Sequence, residues 1–300
     1  MSGCIMTNPS IQTAAILGAG AMGAGIAQVA AQAGIRTRLF DIEESFARAG
    51  MERITAMLDK GVAKGKMEAS KREEVLSLLE PCWDLEEAVA GVDLVIEAAP
   101  EKLDLKQDIF RRVAAVVDEH CLIATNTSSL SVTELGSVVN ASERFLGLHF
   151  FNPPPLMKLL EVVRGAETSE ATVERALELA ERMGKSPIVV ADAPGFASSR
   201  LGVALGLEAI RMVEEGVASP ADIDTAMELG YRHPMGPLKL TDLVGLDVRL
   251  HISEYLADKL DDTRFKAPAL MRKMVEAGEV GKKAGKGFYD WSDGTPKPRS

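Results

Sequence analysis

The stretch from Gly18 to Gly23, reading Gly-Ala-Gly-Ala-Met-Gly, constrains the fold more than any other part of the chain. It lies between an apolar run at Thr13–Leu17, which reads as a buried strand, and residues 24–33, which read as a helix ending at Gly34. A glycine turn in that setting has a definite use. Gly18 permits the tight turn, Gly20 lets a pyrophosphate approach the backbone, and Gly23 lets the helix pack against the strand. Ala19, Ala21 and Met22 complete the loop, and the helix N-terminus offers its amides to phosphate. A second apolar run, Arg36–Phe40, ends at Asp41, whose carboxylate can accept from both ribose hydroxyls of an adenosine and would repel a 2′-phosphate. A glycine turn alone can be mere packing. Strand, turn, helix, second strand and terminal acid together point to a dinucleotide, NAD in preference to NADP.

Strand and helix patterns continue to alternate. Residues 43–58 and 70–79 have helical spacing around a linker at 60–69. Residues 93–98 form a buried-strand run, 103–117 a helix, 121–124 a strand, 171–183 a helix closed by Gly184, and 187–191 a last strand. This pattern predicts an α/β domain over 1–191 with a Rossmann-type, doubly wound, mainly parallel sheet. From Pro194 the alternation stops. Residues 196–213 are apolar nearly all round, which predicts burial on most sides. Ser219, Pro220 and Asp222 carry a helix-start signature at N-cap, N1 and N3. A breaker at 233–237 precedes an apolar helix over 238–260, and 268–277 adds a shorter one. An all-α second domain over 192–300 is expected, and 300 residues suit one large and one smaller core.

Charge narrows the partners. With 44 acids against 34 bases the net charge is -10, which argues against nucleic acid and anionic membrane surfaces. Although 46% of residues are apolar, no run reaches membrane-spanning length. Cys4, Cys82 and Cys121 have neither metal-like nor redox-pair spacing, so free thiols and no metal are expected. The N-terminus has neither a basic leader nor an apolar targeting segment, which makes the cytoplasm the expected location.

Ligands of open α/β sheets lie at the carboxyl ends of strands, which makes Glu101, Lys106, Asn126 and Ser128 site candidates. Ser128 or Ser129 could instead cap the short helix that follows. The strongest candidate chemistry is further on. A strand-like run delivers His149 to its end, Asn152 and three prolines stop it, and a second apolar run brings Glu161 back. An alcohol that loses hydride must also lose its hydroxyl proton, a task for a neutral imidazole steered by a carboxylate. A core histidine and a solvated glutamate would leave the same trace in the sequence. Lys60, Lys64, Lys66, Lys71 and Arg72 form a local basic cluster that could receive the phosphates of an adenine-nucleotide handle, or could be a solvated face.

Assembled, these residues resemble the 3-hydroxyacyl-CoA dehydrogenases, and among them the short-chain 3-hydroxybutyryl-CoA enzymes, over nearly all of the chain after Ile11. The resemblance rests on GAGAMGAGIAQ, NTSSL at 126–130, HFFNP at 149–153 with Glu161 beyond it, PGF at 194–196 and GKKAGKGFYDW near the C-terminus. It implies His149 as general base with Glu161 orienting it, and Ser128 and Asn152 holding cofactor and substrate. It further implies that Asp41, Glu101, Lys106 and Lys283 contact NAD, that the substrate is an (S)-3-hydroxyacyl-CoA, and that the helical domain covers the site and forms a homodimer; in the basic cluster Lys64 is the candidate for contact with such a substrate. One position departs from the family. In GFASSR, Ser199 stands where the family has a substrate-positioning asparagine. Alternatives on the same architecture are a dehydrogenase of free hydroxy or sugar acids, or a non-catalytic NAD-binding protein.

Overall fold

The structure, a computed structural model, describes residues 10–299; Cys4 and the N-terminal segment read for targeting lie outside them. The chain divides between Ala193 and Pro194 into two compact units.

The first unit contains β1 (Thr13–Leu17), α1 (Ala21–Gln32), β2 (Arg36–Phe40), α2 (Glu44–Ala63), α3 (Ala69–Ser77), β3 (Leu79–Cys82), α4 (Leu85–Val89) and β4 (Leu94–Glu97). There follow α5 (Leu103–Ala114), β5 (Leu122–Thr125), α6 (Val132–Gly136), β6 (Phe145–Phe150), β7 (Leu159–Arg164), α7 (Glu170–Arg182) and β8 (Ser186–Ala191). The eight strands lie in the order β3-β2-β1-β4-β5-β6-β7-β8, so the strand order reverses between β1 and β4. The pairings are parallel except that of β6 with β7. The central strands β4, β5 and β6 are buried along their whole length, as a sheet covered on both faces requires. The prolines between β6 and β7 reverse the chain and put His149 opposite Glu161 in the antiparallel register.

Three local expectations need correction. The stretch expected to be linker continues α2 to Ala63, and only Lys64 to Glu68 connect it to α3. β3 and α4 have no counterpart in the sequence reading, because the run Leu-Glu-Pro-Cys is short and interrupted by Pro81; at the sheet edge a missing ladder donor is tolerated. Neither Ser128 nor Ser129 caps the helix after β5. Ser131 does, its hydroxyl accepting from the Glu134 amide.

In the second unit α8 (Ser198–Glu214), α9 (Pro220–Thr225), α10 (Pro237–Val244), α11 (Leu246–Leu260) and α12 (Ala269–Glu276) surround a core that includes Leu207, Ile210, Leu238, Leu256, Phe265 and Met271. Ser219 caps α9 with Pro220 in its first turn. The single helix expected over 238–260 is broken at Gly245, whose φ of 101° lies outside the helical range. The unit is not purely helical either. β9 (Tyr289–Asp290) and β10 (Lys297–Pro298) form a small antiparallel ribbon. The carboxylate of Asp242 accepts from the Phe288 and Tyr289 amides and the Trp291 indole, which fixes the GFYDW segment in the core. As expected, α8 is buried or half-buried along most of its surface, with Val203, Leu207 and Ile210 facing inward and an exposed stripe that includes Leu201 at 71%. Among the described residues no helix is long and apolar enough to cross a membrane, and no cluster of ligating side chains is arranged for a metal.

Candidate active site

The glycine turn follows from contacts that a side chain would break. Gly18 has φ 108°, its amide donates to Phe40 O at 2.8 Å, and a Cβ there would lie 2.7 Å from Ala98 O. Gly20 starts α1 without a side-chain cap and has open space where its Cβ would be. Asp41 lies at the end of β2, where Oδ2 accepts from the Ala19 amide and Oδ1 from the Ile42 amide, both at 2.8 Å. The same carboxylate that would meet a ribose is thus tied to the turn that would meet the phosphates.

A cavity of about 360 Å³ opens beside this turn. It brings together seven of the sequence candidates: Met22, Glu101, Lys106, Asn126, Ser128, His149 and Asn152. His149 Nδ1 lies 2.7 Å from Glu161 Oε2; the histidine is 7% exposed and the glutamate fully buried. The pair is directly opposed on β6 and β7, so two strand backbones set its geometry. The Phe151 ring lies 4.6 Å from the imidazole. Asn126 ties β5 to β6, its Oδ1 accepting from the Phe150 amide at 2.9 Å.

Lys106 is only 1% exposed, and its ammonium donates to Glu97 at 2.5 Å and Ala99 O at 3.1 Å, with Glu101 Oε2 at 3.1 Å. Glu101 in turn accepts from the Thr127 hydroxyl and the Ser128 and Ser129 amides. Burial pushes Glu101 up, but Lys106 and these donors outweigh it and hold the carboxyl below its ordinary value. For Glu97 burial wins over Lys106 and the donors, and the carboxyl stands above its ordinary value. Glu97 and Thr127 were not identified from the sequence. Glu97 sits inside the apolar run of β4, where alternation offers no cue to its role.

The basic cluster divides. Lys71 pairs with Glu74, and Arg72 with Asp59 and Glu73, on the surface. Lys60, Lys64 and Lys66 line a second cavity of about 660 Å³, with Arg53, Gln28 and the prolines after Asn152. Arg53 is a further residue the sequence did not single out. Lys283 and Ser199 belong to the second unit: Lys283 pairs with Asp247 at 2.6 Å, and Ser199 lies half-buried in the first turn of α8.

Known proteins resemble the chain over both units. Residues 13–193 match the model of the 3-hydroxyacyl-CoA dehydrogenase NAD binding domain, and residues 195–291 match that of the C-terminal domain. The chain is 40% identical over 282 residues to a 3-hydroxybutyryl-CoA dehydrogenase of Clostridioides difficile, covering 93% of this chain and 99% of the other. It is 41% identical to a mitochondrial hydroxyacyl-coenzyme A dehydrogenase of Sus scrofa, with 92% and 90% covered. The crystal structure of the (S)-3-hydroxybutyryl-CoA dehydrogenase from Ralstonia eutropha superposes with a TM-score of 0.90 at 40% identity, over 94% of this chain and 99% of that one. Both units, the nucleotide turn and nine tenths or more of each of these relatives are matched, and the chain belongs to the 3-hydroxyacyl-CoA dehydrogenase family.

Proposed function

We propose that this protein interconverts an (S)-3-hydroxyacyl-CoA with a short acyl group, 3-hydroxybutyryl-CoA foremost, and the 3-oxoacyl-CoA, with NAD as the redox partner. The observation that carries this reading is the His149–Glu161 pair facing the cavity that Ser128 and Asn152 also line. The residues fit the dinucleotide: open space above Gly20 admits a pyrophosphate, and Asp41 is already oriented by the Ala19 amide. When bound, NAD accepts the hydride that leaves C3 of the substrate.

The chain's own groups handle the proton and the oxygen. His149 takes the hydroxyl proton on Nε2, while Glu161 holds Nδ1 and stabilises the imidazolium that results. The imidazolium then releases the proton to solvent. Ser128 and Asn152 fix the reacting oxygen and the cofactor's reactive end. Glu101 faces the dinucleotide, with Lys106 behind it as a fixed buried charge; Lys283 contributes from the C-terminal segment. Lys64, with Lys60, Lys66 and Arg53, meets the phosphates of CoA in a chain otherwise strongly acidic. Ser199 offers one short hydroxyl where an asparagine would offer a donor and an acceptor, so Ser128 carries more of the work of fixing the substrate oxygen.

Initial rates across acyl-CoAs of four to sixteen carbons test the substrate assignment. The C4 ester is expected to have the highest kcat/KM, and free 3-hydroxybutyrate one lower by about 100-fold or more, because remote CoA contacts lower the barrier. A free acid as good as its CoA ester would overturn the reading. For Asp41, NADH is expected to be preferred over NADPH, and Asp41→Ser to narrow that preference by about tenfold or more, the effect of losing one repulsive charge. Equal wild-type kcat/KM for the two cofactors contradicts the role.

The second unit supports a homodimer. Leu201, Leu229 and Tyr231 are strongly exposed, an amount of apolar surface that an isolated small helical unit seldom leaves in water. Light scattering should give a mass of about twice 32.1 kDa, and Leu201→Glu should halve it. A monomeric wild type refutes the proposal.

A further inference from the structure

Two hydrogen-bonded routes leave the carboxylate of Glu97 and converge on the loop that carries Ser128. Along the first, Oε1 accepts from Lys106, whose ammonium also meets Glu101, and Glu101 Oε1 accepts from the Thr127 hydroxyl, the Ser128 amide at 3.0 Å and the Ser129 amide at 3.2 Å. Along the second, Oε2 accepts from the Thr125 hydroxyl at 2.7 Å, and that oxygen accepts from the Thr127 amide at 3.2 Å. Glu97 also accepts from the Ala99 amide at 2.6 Å, so all its partners are donors, the pattern of an ionised carboxylate. The residue is fully buried at the end of β4, beside the reversal of strand order.

Such an arrangement is expensive. Two acids share one lysine; Glu97 and Lys106 are closed to water while Glu101 is 34% exposed, and an apolar filling in place of the buried pair would serve stability as well or better. What the arrangement does supply is direction. Ser128 is exposed on a loop, and its backbone is held chiefly by acceptors whose positions depend on Glu97. We propose that Glu97 is a positioning residue for the reaction: through Lys106–Glu101 and through Thr125 it holds the 127–130 loop so that the Ser128 hydroxyl meets the reacting oxygen. The proposal rests on the role given to Ser128 above.

Glu97→Gln keeps the shape but strips Lys106 of its buried counter-charge, which weakens the first route, and its amide donor either opposes Lys106 and the Ala99 amide or reverses the bond with the Thr125 hydroxyl. Hydrogen–deuterium exchange of the ligand-free protein should show the 127–130 amides exchanging about tenfold faster or more, with β1 and β2 unchanged, as expected for a local opening. The kcat for acetoacetyl-CoA reduction should fall about tenfold or more and by more than KM for NADH rises, because Glu101 on the first route also faces the dinucleotide whereas Ser128 meets the reacting oxygen. Unchanged loop exchange overturns the proposal, and so does a uniform rise across the sheet, which a merely structural role would give. If Glu97→Gln does not fold, Thr125→Val cuts the second route alone and must still speed exchange at Thr127; wild-type exchange there overturns the proposal equally. Ser128→Ala separates the two readings. A looser loop with kcat retained in both Glu97→Gln and Ser128→Ala places the failure in the Ser128 assignment, whereas kcat lost only in Ser128→Ala places it in the positioning role of Glu97.

Discussion

Replacement of His149 by alanine is expected to lower kcat by about 10² to 10⁴, the usual contribution of general acid–base assistance. The expectation comes from geometry. The imidazole is 7% exposed, its Nδ1 is 2.7 Å from a fully buried carboxylate, and both residues are paired across adjacent strands, so the sheet itself fixes the base against its partner. Glu161→Gln should lose much of the same factor, because a neutral amide cannot stabilise the imidazolium. The double variant should be little worse than the worse single one, since the pair acts as a unit. NADH titration should show that the dinucleotide still binds, because the glycine turn and Asp41 are untouched. Turnover near wild type in His149→Ala ends the mechanism. Fully additive losses in the double variant would mean that Glu161 acts on something other than the histidine.

The glycine turn was legible because its chemistry is local: strand, turn, helix and terminal acid all lie within one βαβ unit. The His149–Glu161 pair was legible for a related reason. Prolines between two apolar runs predict a reversal, and the reversal gives the pairing observed between β6 and β7. Glu97 was not legible, since an acid within an apolar run looks the same whether it meets a buried lysine or not, and Lys106 lies on a different element. Lys106 reads from the sequence as a residue of the dinucleotide site; that its ammonium is enclosed by Glu97, Glu101 and Ala99 O is a tertiary fact without a local signal. β3 was hidden by Pro81, and the break between α10 and α11 by a lone glycine inside a helical pattern, which propensity treats as a small penalty.

Two glycines of the turn are expected to fail in different ways when each is changed to alanine. A Cβ on Gly23 would lie 1.7 Å from Gly18 O and 2.8 Å from Gly18 C, a backbone clash that no rotamer relieves. Either α1 lifts from the sheet or the turn unfolds, and both disturb the Gly18 amide bonded to Phe40 O and the Ala19 amide bonded to Asp41. Gly23→Ala should therefore cost about 3 kcal/mol of stability, seen as a Tm lower by roughly 6–12 °C, and weaken NADH binding as well. Gly20→Ala meets nothing within 4 Å in the ligand-free protein, so its Tm should stay within a few degrees of wild type. Its new methyl instead occupies the space through which a pyrophosphate must approach the α1 amides, and NADH affinity should fall about 100-fold as those charge-assisted contacts are held apart. Melting curves with and without NADH read both effects in one experiment. Wild-type NADH binding by Gly20→Ala would remove the phosphates from this turn, and a wild-type Tm for Gly23→Ala would show that the contact with Gly18 can relax at no cost.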